Sequence, residues 1–352
     1  MAGQPVRVAI VGAGANTRSR HIPGFRAIAG VEIVGLVNRS RESAERVARE
    51  FEIPRIYPDW RDILEDPRVD AVCIGTWPDM HCEVTCAALD AGKHVLTEAR
   101  MARNAAEARQ MHAAALAHPG QVAQIVPSPF GLVPDKFVRS IIDEGYLGAL
   151  REIVVIGADA TFWDYTELLH WRQNAQISGV NVLALGILHE TVSRWVPETT
   201  RVFAQSQIFE RRRPIPDHPG LADVTIPDSV QIVTQLEGGA RGLYHISGIA
   251  LFGPGKQIHL YGSRGTIKYV ISPEEQLFLG RAGEGKLKQV ELPAEQRGGW
   301  RVEEEFIAAV RGKETVRYTE FATGLQYMEF TEAVARSAAM GLAVDLPLKN
   351  LA

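Results

Sequence analysis

Val6-Arg7-Val8-Ala9-Ile10-Val11-Gly12-Ala13-Gly14-Ala15-Asn16-Thr17 lies at the head of the chain and runs from an apolar segment into a glycine turn. All but one of the residues from Val6 to Val11 are apolar. Such a run, closed by glycine, suits a strand buried on both faces of a parallel sheet. Gly12 permits a tight turn. Gly14 leaves no Cβ in the way of a pyrophosphate approaching the N-terminus of the next helix. The third position of this fingerprint is ordinarily Gly or Ala, for close helix-strand packing, and here it is Thr17. The expectation is a dinucleotide crevice rimmed by Gly12, Gly14, Ala15, Asn16 and Thr17. Arg18 and Arg20 follow, either near its phosphates or as solvated loop residues.

The pattern continues as strands alternating with helices. Glu32-Ile33-Val34-Gly35-Leu36-Val37 is a second strand, and Asn38-Arg39-Ser40-Arg41 at its end meets the adenosine ribose. A carboxylate there would accept from the 2′-hydroxyl and repel a 2′-phosphate, whereas Asn38, Arg39, Ser40 and Arg41 bring donors and positive charge. NADP is therefore favoured over NAD, with Ser40 as a plain helix N-cap the alternative. Helices are expected over Ser40 to Phe51 and Asp59 to Leu64. The third strand is Val69 to Gly75, leading to Thr76, Trp77, Pro78 and His81 along the crevice and then a helix closed by Gly92. Lys93 to Thr97 forms the fourth strand and ends at Glu98-Ala99-Arg100. Arg100 reads either as an anion clamp or as a surface salt bridge. After the helix Asn104 to Leu116 and the strand Gln121 to Val126, Pro127-Ser128-Pro129 marks a boundary. The chain divides into 1–126, a dinucleotide-binding domain, and 127–352, a domain for substrate and oligomer contacts.

In the second part the apolar period shortens to two. Strands are expected around Glu152–Ala158, Val202–Phe209, Ser229–Leu236, Arg241–Ser247, Gln257–Tyr261 and Thr266–Ile271, with short glycine turns such as Glu237-Gly238-Gly239. Short turns mean antiparallel neighbours. Helices near Val180–Val196, Val302–Arg311 and Glu320–Met340 would cover one sheet face and leave the other open. The fold class is α/β: a doubly wound parallel sheet of Rossmann type, then an α+β domain with a large, mostly antiparallel open sheet.

Composition narrows the partners. The 352 residues are 46% hydrophobic and 23% charged, with a net charge of -4 spread along the sequence. No basic block calls for nucleic acid or an anionic membrane, so a small molecule is the expected partner. No run approaches the roughly 18 apolar residues of a membrane span, and the N-terminus lacks a signal-peptide core, so a cytoplasmic protein is expected. Cys73, Cys82 and Cys86 form no disulfide framework. Cys82 and Cys86 lie one helical turn apart beside His81, but no second ligand pair stands at metal spacing, and no metal is expected.

The ordered set Gly12-x-Gly14, His21-x-Pro23, Thr76-x-Pro78-x-x-His81 and Ala91-Gly92-Lys93-His94-Val95-Leu96-x-Glu98 resembles the glucose-fructose oxidoreductase and inositol dehydrogenase family, as does Trp171-Arg172 followed by Ser178-Gly179. The resemblance implies a Rossmann domain binding NAD or NADP, a mixed-sheet domain meeting a sugar or cyclitol, and a homodimer or homotetramer through that sheet. Three positions depart from the family pattern. Its Glu-Lys-Pro is here Glu98-Ala99-Arg100, and its Asp-x-Gly-x-His aligns with Ala184-Leu185-Gly186-Ile187-Leu188, so the usual Lys, Asp and His are missing.

His189 lies one place past the expected histidine. Each helical residue turns about 100°, so His189 falls on the stripe of Leu185, Val192 and Val196 unless a bulge intervenes. It is either a core histidine or a displaced acid-base group. The segment Phe162 to Gln176 offers Asp164, Tyr165, Glu167, His170, Trp171 and Arg172. Trp171 suits a sugar face, Arg172 a hydroxyl or carboxylate, and His170 proton transfer near neutrality. The expected function is hydride transfer between NADP(H) or NAD(H) and a carbohydrate-like alcohol or ketone, with His189, His170 and Arg172 at the chemistry. A glycoside hydrolase or lyase using transient oxidation, and a non-catalytic nucleotide-binding member, are the alternatives.

Overall fold

The structure is a computed structural model that describes residues 5–215 and 219–349. The chain forms two compact units, one running through Pro127 and including Arg301–Leu325, the other made of Ser128–Trp300 and the residues from Gln326 on.

In the first unit the elements are β1 (Val6–Val11), a π-helical turn (Thr17–His21), α1 (Ile22–Ala27), β2 (Val31–Val37), α2 (Arg41–Glu50), α3 (Trp60–Glu65), β3 (Ala71–Ile74), α4 (Pro78–Asp90), β4 (His94–Thr97), α5 (Ala105–Ala117) and β5 (Ala123–Ile125). The strands pair in parallel in the order β2-β1-β3-β4-β5. Their apolar runs are buried because helices cover both faces of such a sheet. The helix starts follow local chemistry. Ser40 accepts from the Ser43 amide, Asp59 and Asp62 form a capping box, Asn104 accepts from the Glu107 amide, and Pro78 begins α4 without needing its missing N–H. α4 starts at Pro78, so His81, expected at the head of the helix, lies inside it.

Thr17, the irregular residue of the glycine fingerprint, is accommodated by Gly75 at the end of β3. Its hydroxyl donates to the Gly12 carbonyl at 3.2 Å, and a Cβ on Gly75 would stand 2.0 Å from Thr17 Oγ1 and 2.3 Å from the Gly12 oxygen. The close approach ordinarily provided by a small third residue is thus supplied by the neighbouring strand.

The second unit contains α6 (Asp135–Asp143), β6 (Leu150–Ala158), α7 (Ala175–Ser178), α8 (Leu185–Ser193), β7 (Thr199–Gln207), β8 (Arg212–Pro214), β9 (Leu221–Asp223), β10 (Ser229–Leu236), β11 (Arg241–Ser247), β12 (Gly255–Gly262), β13 (Gly265–Val270), β14 (Gln276–Arg281) and β15 (Lys288–Val290). After α9 (Val302–Val310) come α10 (Phe321–Met340) and β16 (Val344–Asp345). A nine-stranded sheet runs β15-β14-β13-β12-β6-β11-β10-β7-β16, and β8 pairs with β9 in a separate hairpin. Every pair in the large sheet is antiparallel except β6 with β11. Its buried face carries Val155, Tyr244, Ile246, Ile258 and Ile232, and a Ser337 hydroxyl from α10 accepts from the Ala204 amide of β7. On the opposite face Phe203, Val233 and Leu243 are half-exposed, aligned across β7, β10 and β11.

The large open sheet and the parallel sheet match the expected fold class. β14 is a further strand beyond those expected, and β15, β16 and the β8–β9 hairpin, of two or three residues per strand, are too short to show a period of two. The segment 301–325, expected in the second domain, belongs to the first unit. The reason is α9, whose Phe306 packs edge-on against Phe25 of α1 with ring centroids 6.3 Å apart.

Gly75→Ala is expected to lower stability by about 1–3 kcal/mol through overpacking. Gly285→Ala, where an added Cβ meets nothing within 4 Å, should stay within about 0.5 kcal/mol. Urea denaturation of both variants checks this, and equal midpoints would contradict it.

Candidate cofactor cradle and aromatic loop

In an open parallel sheet a ligand binds beyond the carboxyl ends of the strands where the strand order reverses. In the first unit that point lies between β1 and β3. Gly12 has φ +86°, and its absent Cβ would stand 2.7 Å from Thr76 Cγ2 and 2.8 Å from the Thr76 nitrogen. Its amide donates to the Val37 carbonyl at 2.9 Å, and the Ala13 amide donates to Asn38 Oδ1 at 2.7 Å. Gly14 is exposed, and a Cβ there would meet only the Gly75 carbonyl oxygen, at an ordinary 3.5 Å. The turn is therefore braced from behind and open in front, which fits a pyrophosphate laid across Gly14 and Ala15 toward the first turn that follows.

The residues expected to read the ribose divide. Asn38 uses its carbonyl oxygen to hold Ala13, Ser40 caps α2, and Arg41 pairs with Glu45 at 2.9 Å. Arg18 pairs with Glu50 at 2.6 Å. Arg39 is placed differently, its guanidinium 5.1 Å from the ring centroid of Trp77. Pro78 sits in the first turn of α4. His81 is buried with Nδ1 2.9 Å from the Arg100 carbonyl and 3.2 Å from that of Met101, and Nε2 3.1 Å from the Thr76 carbonyl. Its ring is wedged between carbonyls of the loops after β3 and β4, and as a neutral imidazole it donates to one of them. Burial draws its pKa below 6.5 against the pull of those carbonyls. Arg100 is buried, which removes the surface salt-bridge reading of it.

Behind the turn lies a charged cluster. His21, fully buried, has Nδ1 2.5 Å from Glu303 Oε1 and Nε2 2.9 Å from Glu98 Oε1. Asn16 Nδ2 donates to the same Glu98 oxygen, and Glu98 Oε2 accepts from the Ala99 amide at 3.1 Å. Burial alone would lower the His21 pKa. The hydrogen bonds and charges of Glu303 and Glu98 outweigh it and hold the ring protonated up to about 9. Burial would likewise raise Glu98, but the bond to His21 and its charge keep it below the ordinary value. Glu98 thus anchors Asn16 rather than presenting its carboxylate to solvent. Glu303 escaped the sequence reading, since it lies 282 residues from His21. The available signal was weak: acidic residues at 303–305 inside an otherwise apolar helix, of which Glu303 and Glu305 are buried and Glu304 is exposed.

In the second unit the segment from Phe162 to Gln173 is irregular up to a 3-10 turn at Trp171–Gln173, which His170 and Gln173 cap. His170 Nδ1 accepts from the Arg172 amide at 3.1 Å, and its ring lies 5.5 Å from that of Trp171 and 5.8 Å from that of Phe162. The Arg172 guanidinium lies 4.1 Å from the Trp171 ring centroid. Burial and the charge of Arg172 lower the His170 pKa, so the ring is neutral at pH 7 with its proton on Nε2, directed away from Arg172. His170, Trp171 and Arg172 therefore form one contiguous group, the two rings tilted by 31° and the guanidinium over the Trp171 face. Asp164 accepts from Thr166, while Tyr165 and Leu168 are exposed.

His189 is not part of that group. α8 is a regular helix without a bulge, so His189 stays on the buried stripe with Leu185 and Val192. Its ring stacks on Phe330 at 3.5 Å, and Nδ1 meets the Tyr244 hydroxyl at 3.0 Å. Burial lowers its pKa to about 3. Of the two expectations for His189, a core histidine or a displaced acid-base group, this stacked and hydrogen-bonded burial favours the first.

A braced glycine turn at the reversal point of a parallel sheet, in a chain whose other unit carries a large open sheet, defines a dinucleotide-binding protein of Rossmann type. Residues 6–124 match the profile of the oxidoreductase family with an NAD-binding Rossmann fold, and residues 136–268 match the profile of the GFO/IDH/MocA C-terminal domain. The chain belongs to the Gfo/Idh/MocA family of oxidoreductases.

It is 26% identical over 264 residues to an uncharacterized oxidoreductase of Synechocystis, covering 74% of this chain and 70% of that protein. It is 28% identical over 224 residues to mouse trans-1,2-dihydrobenzene-1,2-diol dehydrogenase, covering 61% and 60%. To the levoglucosan dehydrogenase of Pseudarthrobacter phenanthrenivorans it is 27% identical over 176 residues, covering 45% and 44%. The match thus spans less than two thirds of the length of the two named dehydrogenases. The structure of a levoglucosan dehydrogenase in complex with NADH and levoglucosan superposes with a TM-score of 0.87 at 22% identity, over 98% of this chain and 100% of that one. That likeness establishes the fold. Among the described residues, no helix is long and apolar enough to cross a membrane.

The His21 cluster makes stability depend on pH. Because its folded pKa, about 9, is above the ordinary 6.5, the contribution is complete below about 6.5 and is lost as pH rises through about 9. The denaturation midpoint of the wild type should fall across that window relative to His21→Gln, whose own profile lacks this component. Parallel profiles would show that His21 is neutral in the folded protein.

Proposed function

We propose that this protein is an NAD(P)-dependent oxidoreductase acting on an alcohol or ketone carbon of a sugar or cyclitol. The observation that carries this reading is the Gly12–Thr17 turn, braced from behind by Asn38 and by the Asn16–Glu98–His21 chain and open over Gly14. When bound, the nicotinamide cofactor would supply the hydride chemistry. The chain's own residues would bind and orient. Gly14 and Ala15 would admit the pyrophosphate, with Thr76, Trp77 and Pro78 bordering the crevice. The first unit serves the dinucleotide and the second serves substrate and assembly.

NADP is favoured over NAD on the position of Arg39, a guanidinium stacked on Trp77 at the end of β2 where a 2′-phosphate would lie. Trp171 offers an aromatic face to a sugar ring, Arg172 a charged donor, and His170 an Nε2–H donor to a substrate oxygen. Since Nδ1 of His170 is already an acceptor, this residue holds a hydroxyl or carbonyl in place and is not a ready base. The neutral core placement of His189 favours a second reading, a member that binds nucleotide without turnover. A hydrolase or lyase using transient oxidation would show itself by release of a sugar substituent with no net cofactor reduction.

Assembly as a homodimer or homotetramer is proposed through the open face of the large sheet, on the half-exposed row of Phe203, Val233 and Leu243. The cytoplasm is proposed as its compartment, where unpaired Cys73, Cys82 and Cys86 suit a reducing environment.

Purified protein with NADP or NAD and a panel of sugars and cyclitols should give absorbance at the reduced-nicotinamide band. Arg39→Ala should weaken NADP about 10-fold while changing NAD little, as expected for one lost charge-assisted contact. Nucleotide binding with silence across the panel would favour the second reading, and no binding of either nucleotide would remove both. Light scattering of Leu243→Glu should show a smaller particle than the wild type, and an unchanged mass would remove the sheet-face assembly.

A further inference from the structure

Arg213, on β8, is the largest of the fully buried side chains, with 1% relative exposure. Among the described residues no carboxylate lies within ion-pair distance of its guanidinium. Its two terminal nitrogens donate instead to main-chain carbonyls of a single segment, that of Asp164 at 2.5 Å and that of Phe162. The guanidinium carbon is 5.9 Å from the Phe162 ring centroid. Burying a charge without a contacting counter-charge is costly; fixed carbonyl dipoles compensate it here, with the Asp164 carboxylate adding a longer-range attraction. The same hairpin is stitched further along this segment. The Leu169 amide donates to the Pro214 carbonyl at 2.8 Å, the Thr225 amide to the Gln173 carbonyl at 2.9 Å, and the Ala175 amide to Thr225 Oγ1 at 2.8 Å. His170, Trp171 and Arg172 lie between the stitches at residues 169 and 173. Phe162, whose carbonyl Arg213 holds, also has its ring 5.8 Å from that of His170.

We propose that Arg213 is the positioning residue of the aromatic loop, a buried cation that fixes the carbonyls of Phe162 and Asp164 and through Phe162 sets the His170–Trp171–Arg172 group. Between residues 160 and 169 regular turns cover only 161–162 and 165–166, and beyond them Trp171–Gln173 is a short 3-10 turn capped by His170. The irregular stretch ahead of that turn is held from outside by charge-assisted hydrogen bonds, which are stronger than neutral ones. Arg213 itself reaches no substrate in this scheme and acts through the loop. The substrate arm of the idea rests on the sugar-oxidoreductase reading above, whereas the ordering of the loop does not.

The test uses Arg213→Met, which keeps the volume and removes every donor, and Arg213→Lys, which keeps the charge and can reach one carbonyl. Hydrogen exchange on the full chain should show amides between residues 160 and 173 exchanging about 10-fold or more faster in the Met variant, as losing bonds from a charged donor implies. The Lys variant should fall between Met and wild type, and β6 and β11 should remain protected in both. For a sugar that the wild type turns over, KM should rise about 10-fold in the Met variant, with kcat and nucleotide affinity within about 2-fold.

Unchanged exchange in 160–173 overturns the proposal, and so does acceleration spread evenly over the second unit, which would make Arg213 an ordinary core residue. If the Met variant does not fold, the Lys variant alone decides by the same exchange criterion. A wild type that turns over no sugar would count against the functional reading, while the exchange result still decides the role of Arg213.

Discussion

The first unit depends on one imidazolium held between two carboxylates away from water. His21 joins Glu98, at the end of β4, to Glu303, from α9 in the last sixth of the chain, and through Glu98 it reaches Asn16 in the glycine turn. Taking ions out of water costs several kcal/mol each, and their attraction repays it only when the geometry is good and the remaining donors and acceptors are used. Here both ring nitrogens are used, and both oxygens of Glu98 accept hydrogen bonds. Such a cluster contributes less to net stability than to uniqueness. Any shift of the turn relative to β4 would leave a buried charge without its partner. The effect is a nucleotide cradle whose backbone is ordered before anything binds, which reduces what binding must spend on ordering it.

The same unit shows how a nonstandard residue in a motif is absorbed by its neighbours. Thr17 would crowd a strand of ordinary composition, and Gly75 makes the room. Its hydroxyl, which would otherwise be an unmet buried polar group, bonds to the Gly12 carbonyl. His81 does comparable work one strand further on, its two nitrogens facing carbonyls from the loops after β3 and β4. The cradle is therefore built from pairs that are distant in sequence, and the glycine pattern is only its most visible part.

In the second unit α8 is mostly buried, and His189 lies against Phe330 and Tyr244, where burial lowers its pKa. The segment from Phe162 to Gln173 gathers a separate set of polar and aromatic side chains. That segment is irregular up to a short 3-10 turn at Trp171–Gln173, bonds to the Arg213 guanidinium of β8, and carries a series of tilted rings in contact. A rigid sheet presenting a loop ordered from outside lets recognition vary without disturbing the fold.

By itself the sequence determined the parallel sheet, the large antiparallel sheet, the glycine turn and the family, because each of these is written in local periods and short spacings that backbone geometry imposes. It also contained the reason His189 falls on an apolar stripe, since a 100° turn per residue needs no tertiary information. Only the tertiary structure decided that Asn38 braces the turn, that His81 is wedged between two loops, that Glu303 charges His21, and that residues 301–325 belong with the first unit. Those outcomes depend on contacts between residues dozens to hundreds of positions apart. The free energy of a buried charge or an unmet hydrogen bond is set by what surrounds it in space, and nothing in the neighbouring letters encodes that.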